Sequence, residues 1–156
     1  MTNREMFENY ERIAKIKEVE KNYFKKTGEK LLKGRMKVSY AINKNKAEFQ
    51  QKLKPCEETR AELIREYRDV EAEQEALKEK QEKEKQQAEL EGREPEIVSI
   101  NIILRNGKDL KEYEKKLKEL LDIEVDVDIH CISIEQLEGL DLDSPELELF
   151  MFMIED

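Results

Sequence analysis

Apolar side chains recur along the first part of the chain at helical spacing. After Thr2, a candidate N-cap with Glu5 three residues on, they fall at Met6, Phe7, Tyr10, Ile13, Ile16, Val19 or Tyr23, and Phe24. The pattern predicts one amphipathic helix that closes near Thr27-Gly28, where glycine can take the left-handed conformation that ends a helix. Gly34 marks a second irregular point before the next element.

The next stripe is longer. Ile42, Phe49, Cys56, Leu63, Val70 and Leu77 recur at intervals of seven, with Leu53 and Tyr67 four residues beyond alternate members. This is a heptad seam, half filled because Lys46, Arg60 and Gln74 occupy the other complementary positions. Packing against a short partner helix with snorkelling stems fits it better than a long dry coiled coil. Pro55 lies inside the stripe and predicts a kink or a split at about Lys54.

Beyond Leu77 the chain has no apolar residue to bury before Ala88, and residues 71–94 read as a projecting charged arm held only by helix propensity and Glu-to-Lys pairs. Gly92 and Pro95 make the best boundary, dividing a helical hairpin, 1–94, from a small acidic module, 95–156.

The period then changes. Val98, Ile100, Ile102 and Leu104 alternate as in a strand, Asn106-Gly107 is a turn, and Leu110, Tyr113, Leu117, Leu120 and Leu121 share a helix face. Ile123, Val125, Val127, Ile129 and Cys131 alternate with Glu124, Asp126, Asp128 and His130, the cleanest strand pattern in the chain. Strand, helix and strand with short connections predict a βαβ-like unit. Ser133 has capping-box spacing for a short helical turn closing near Gly139, and Ser144-Pro145 offers an N-cap before an apolar run to Ile154. That run reads as helix, although Leu147, Leu149, Met151 and Met153 also alternate as a strand would. The predicted fold class is α+β, mainly α: a long antiparallel helical hairpin with a small βαβ-like C-terminal module and a terminal helix.

Composition sharpens this. Of 156 residues, 43% are charged and 38% hydrophobic, with five Gly, three Pro and no Trp, which disfavours a turn-rich sandwich or barrel. The longest apolar run, 149–154, is far below the roughly 20 residues of a membrane span. Two cysteines make no disulfide framework, and no apolar stretch follows the N-terminus, so the expected setting is reducing and cytoplasmic, in a host cell.

The net charge of −9 conceals a gradient. Residues 1–55 hold 15 Lys/Arg and 7 Asp/Glu, net +8, whereas 119–156 hold 13 acids and no Lys or Arg. Opposite-sign segments that pack on one another are the plain explanation. The functional one is an acidic surface for a basic partner, with Glu124, Asp126, Asp128, Asp141, Asp143, Glu146 and Glu148 as candidate contacts.

Candidate chemistry is sparse. His130 and Cys131 are strand neighbours and point to opposite faces, Cys56 is distant, and no zinc-ligand spacing is present. Glu124, Asp126 and Asp128 could share a divalent cation, but a solvated acidic face accounts for them. No catalytic residue, metal or cofactor is assigned, and an enzyme is the least favoured class. The basic cluster Lys25, Lys26, Lys30, Lys33, Arg35 and Lys37 could contact phosphates, but a sequence pI near 5.0 disfavours a dedicated nucleic-acid domain.

Residues 36–45, Met-Lys-Val-Ser-Tyr-Ala-Ile-Asn-Lys-Asn, then 53–60, Leu-Lys-Pro-Cys-Glu-Glu-Thr-Arg, with Leu63-Ile64, resemble a family of uncharacterised phage and prophage proteins. The likeness continues through 114–121, the alternating 124–129 and Phe152-Met153-Ile154-Glu155, covering roughly 31–156, and its residues are mostly packing residues. It implies a small phage accessory protein with no assigned activity. Three functions follow as expectations: a non-enzymatic binder and inhibitor of a host or phage protein such as a defence nuclease, in the manner of an anti-CRISPR or other anti-defence protein; a morphogenetic component that forms a homo-oligomer through the helical seam; or a weak nucleic-acid binder.

Overall fold

The structure, a computed structural model, describes residues 1–155. The element order is α1 (Asn3–Thr27), α2 (Met36–Tyr67), α3 (Val70–Glu91), α4 (Leu110–Leu121), a 3-10 turn (Ile134–Gln136), α5 (Ser144–Glu148) and a second 3-10 turn (Met151–Met153). Two compact units result: Met1–Cys56 with the chain from Leu121 onward, and Glu57–Leu120. The boundary expected between 94 and 95 falls inside the second unit.

In the first unit, α1 starts as its sequence demands. The Thr2 hydroxyl accepts from the Glu5 N–H while the Glu5 carboxylate accepts from the Thr2 N–H, a complete capping box. These bonds draw the Glu5 carboxyl below its ordinary pKa. Thr2→Ala should lower stability by about 1 kcal/mol, readable as a small drop in the denaturation midpoint. Gly28, at φ 76°, closes α1 by donating its N–H to Phe24; a side chain there would be strained.

The helices pack antiparallel, with the Gln50 amide donating to the Tyr10 hydroxyl at 2.9 Å and Phe24 and Lys21 lining one cleft with Ser39 and Asn43. Met6, Ile13 and Ile16 meet Val38, Ala41, Ile42, Phe49 and Leu53 in a core that Ile132, Leu137, Phe150 and Met153 complete. Ile42, Phe49, Leu53 and Cys56 are buried within the chain, so this part of the seam is occupied internally. Pro55 does not split α2, which continues to Tyr67.

The expected βαβ-like module does not form. Among the described residues there is no sheet, only isolated bridges: Thr2 with Glu124, Arg68 with Leu104 and Ile132 with Ile154. The two alternating runs lie in different units, and each extended segment finds other partners. Residues 123–132 form a strap along the hairpin, with Val125, Val127 and Ile129 turned toward the core and Glu124, Asp126, Asp128 and His130 exposed. Alternation reads the two faces from Val125 onward, whereas Ile123, expected inside, is 51% exposed; the inner face rests on the core that α1 and α2 carry, not on a sheet. The terminal run is neither a full helix nor a strand. It is α5, capped by Asp143 one residue earlier than expected, then a 3-10 turn that buries Phe150 and Met153.

In the second unit the helical stripe breaks at Arg68-Asp69, where the Asp69 carboxylate caps α3 by accepting from the Ala72 N–H. The returning segment pairs with this break: Asp69 N–H donates to the Ile103 carbonyl at 2.8 Å and Arg105 N–H to the Tyr67 carbonyl at 2.9 Å. The expected bare arm is lined along one side by this same segment. Lys80 donates to the Ser99 carbonyl, and Glu84 holds both the Arg93 guanidinium and the Glu96 N–H. Ile103 turns inward in place of Ile102, which is 41% exposed.

Candidate functional site

The strap is positioned at three points. Its start pairs with the N-terminal residues, Asn3 N–H donating to the Ile123 carbonyl and Val125 N–H to the Met1 carbonyl. Its end pairs with the last turn, Ile132 N–H donating to Met153 and Glu155 N–H to Ile132. Between them the buried Asn45 of α2 acts as a surrogate strand: its Oδ1 accepts the His130 N–H at 2.8 Å and its Nδ2 donates to the His130 carbonyl at 3.0 Å. Composition and periodicity did not flag Asn45, yet the signal was present. It is a polar residue three after Ile42 and four before Phe49, on the core stripe of an otherwise apolar face.

So held, Glu124, Asp126 and Asp128 stand at i, i+2 and i+4, roughly 7 Å apart, on the outer face. None has a cationic partner among the described residues. Asp141 and Glu148 are likewise unpaired and exposed, whereas Asp143 and Glu146 form the capping box of α5. Among the described residues no group of three or more His, Cys, Asp or Glu side chains converges as a metal site would require.

The basic cluster divides among separate surroundings. Arg35 donates to the Glu138 carbonyl, Lys26 shares a cleft with Asp141, Asp143 and Glu146, Lys30 lines another, and Lys37 lines a third. Lys25 and Lys33 are exposed. Part of the charge gradient is thus used internally, with Arg4 paired to Asp122 at 3.2 Å in the same sense.

The cleft that Lys37 joins, about 580 Å³, lies between the start of α2 and the strap's end, with Met36, Tyr40, His130 and Cys131 in its wall. The Tyr40 and His130 rings meet edge to face at 5.1 Å. Cys131 is half-buried, and Cys56 is buried elsewhere, so the two thiols are not brought together.

The second unit holds the most connected polar group. Arg68 binds Glu73 through two nitrogens at 3.0 and 2.6 Å, and Glu73 also accepts the Ile103 N–H at 3.0 Å. The buried Tyr67 ring packs on Tyr113, donates its hydroxyl to Glu112 at 2.7 Å and lies under the Lys108 and Lys116 ammonium groups. The Tyr67 hydroxyl draws the Glu112 carboxyl below its ordinary pKa, and Glu66 raises Lys108. These groups fix the α2–α3 break and the seating of α4 within this unit.

No helix among the described residues is long and apolar enough to cross a membrane. Set against family models, curated proteins and solved structures, the chain finds no match.

Proposed function

We propose that this protein is a non-enzymatic interaction protein that presents the acidic strap to a basic surface of a partner protein. The single observation behind this reading is the row Glu124, Asp126 and Asp128: unpaired, exposed, and carried on a segment tied to the core at three points. Preorganisation matters because a partner then does not have to order the segment on binding. A row of carboxylates at regular spacing resembles a phosphate backbone in charge, so the concrete form is inhibition of a host protein such as a defence nuclease, whose groove is basic. The likeness to phage and prophage proteins favours that setting.

The test uses the full chain as bait in a bacterial lysate, beside the triple variant Glu124→Lys, Asp126→Lys, Asp128→Lys. The expected result is a partner retained by the native chain, released as salt rises, and lost with the variant. Recovery of the same proteins by both baits overturns the reading.

A further inference from the structure

A second cleft, of about 520 Å³, lies at the closed end of the hairpin, between the last turns of α1, the connection and the first turns of α2. That volume is within the range of small-molecule sites. Its floor is Leu31 and Leu32, both buried, and beside them Phe24 is left 52% exposed. Lys21 and Lys30 stand in the wall with no ion-pair partner among the described residues, whereas Lys17 is held by Glu20 at 2.9 Å. Across from them, on successive turns of α2, the Ser39 hydroxyl and the Asn43 amide make no side-chain hydrogen bond among the described residues.

A half-exposed aromatic ring, two solvent-facing cations without an ion-pair partner and two hydrogen-bonding groups around one cleft, whose one acid, Glu20, is held by Lys17, fit a ligand with a flat ring, a negative charge and polar edges. A simple anion leaves Phe24 uncovered, and an apolar ligand leaves the lysines unused. We propose that this cleft binds a nucleoside phosphate: the base stacks on Phe24, the phosphate lies between Lys21 and Lys30, and Ser39 and Asn43 bond the base edge or the sugar. The site is distinct from the acidic strap and stands independently of the protein-binding reading. The same chemistry is offered by a free nucleotide and by one unit of a single strand. A duplex is excluded, because its base faces are already stacked.

The test is fluorescence anisotropy at low salt with a labelled oligothymidylate of about eight nucleotides, a length within ordinary single-strand site sizes. Phe24→Ala removes an exposed side chain, and thermal melts establish that the variant folds. It should weaken binding about tenfold with little change in salt dependence, as loss of stacking requires. Lys21→Glu with Lys30→Glu should weaken it about tenfold or more, whereas Lys15→Glu with Lys54→Glu, the same charge change at exposed positions outside the cleft, should change it less than about twofold. Displacement by adenosine monophosphate identifies the free nucleotide as sufficient; retention of the oligomer against it identifies the strand. Three results overturn the proposal: no binding of either probe, equal binding of an oligomer that lacks its bases, or equal loss in the two lysine pairs.

Discussion

Asn45→Leu should destabilise the first unit by about 2–4 kcal/mol, although leucine has the same branched outline of side-chain heavy atoms as asparagine. Asn45 is fully buried and makes two hydrogen bonds to one strap residue, His130, with Met153 Sδ at 3.6 Å from its amide. Leucine keeps the branch but is bulkier and removes both partners, and each backbone group left unpaired in a partly buried setting costs about 1–3 kcal/mol, with any crowding adding to it. Asn45→Asp should be worse at neutral pH, because it keeps the acceptor for the N–H but sets a carboxylate against the His130 carbonyl. Amide exchange reads the effect directly: the His130 N–H should lose protection before the α1 and α2 amides do. An unchanged exchange rate at His130 would refute the role given to Asn45. Any partner contact made by Asp126 and Asp128 should weaken in the same variant, since they lie between that bond and the N-terminal pairing.

How far the sequence disclosed this arrangement depends on whether the signal was local. The Thr2–Glu5 box, the α1 face and the close at Gly28 are each written within a few residues, and each appears as read except Phe24, which the structure leaves 52% exposed. So does the two-faced character of 125–131, because alternation is a local property, although Ile123, expected on the inner face, is 51% exposed. The partner of that strap is not local. A period of two is the same whether a strand covers the segment or a helix does, and the amide of a single asparagine can supply the bonds a neighbouring strand would make. The long stripe misled for a related reason: Val70 and Leu77 keep the heptad register across Arg68-Asp69, yet Asp69 caps a new helix there. The capping residue outweighed the hydrophobic repeat, and Pro55, the stronger breaker by propensity, did not end α2.

The acidic segment was legible as charge and ambiguous as function for the same reason. Asp122, Asp143 and Glu146 are engaged within the chain, by Arg4 or as the cap of α5, whereas among the described residues the positions on the strap's outer face, with Asp141 and Glu148, remain unpaired. Sequence shows the sum of these groups, whereas geometry separates the ones already satisfied from those that a partner can still reach.

Glu73→Gln should destabilise the second unit by about 2 kcal/mol and remove an acid-sensitive component of its stability. The glutamate carboxylate receives two hydrogen bonds from Arg68 and one from the Ile103 N–H, so it ties the α2–α3 break to the returning segment. Its side chain is 10% exposed and that of Arg68 26%, which makes the pair stronger than a surface ion pair and weaker than one fully enclosed. Glutamine keeps the shape and one acceptor oxygen but loses the charge that strengthens both bonds. The Arg68 guanidinium, with the Ile103 N–H, holds the Glu73 carboxyl below its ordinary value of 4.5. A carboxyl whose folded pKa is depressed stabilises the fold fully above the unfolded value and loses that contribution as pH falls through the folded one. The native chain should therefore lose stability below about pH 4.5 more steeply than Glu73→Gln, and the gap between their denaturation midpoints should close in acid. A gap that stays constant from neutral pH into acid would show that the charge of Glu73 contributes nothing and that its shape alone holds the break.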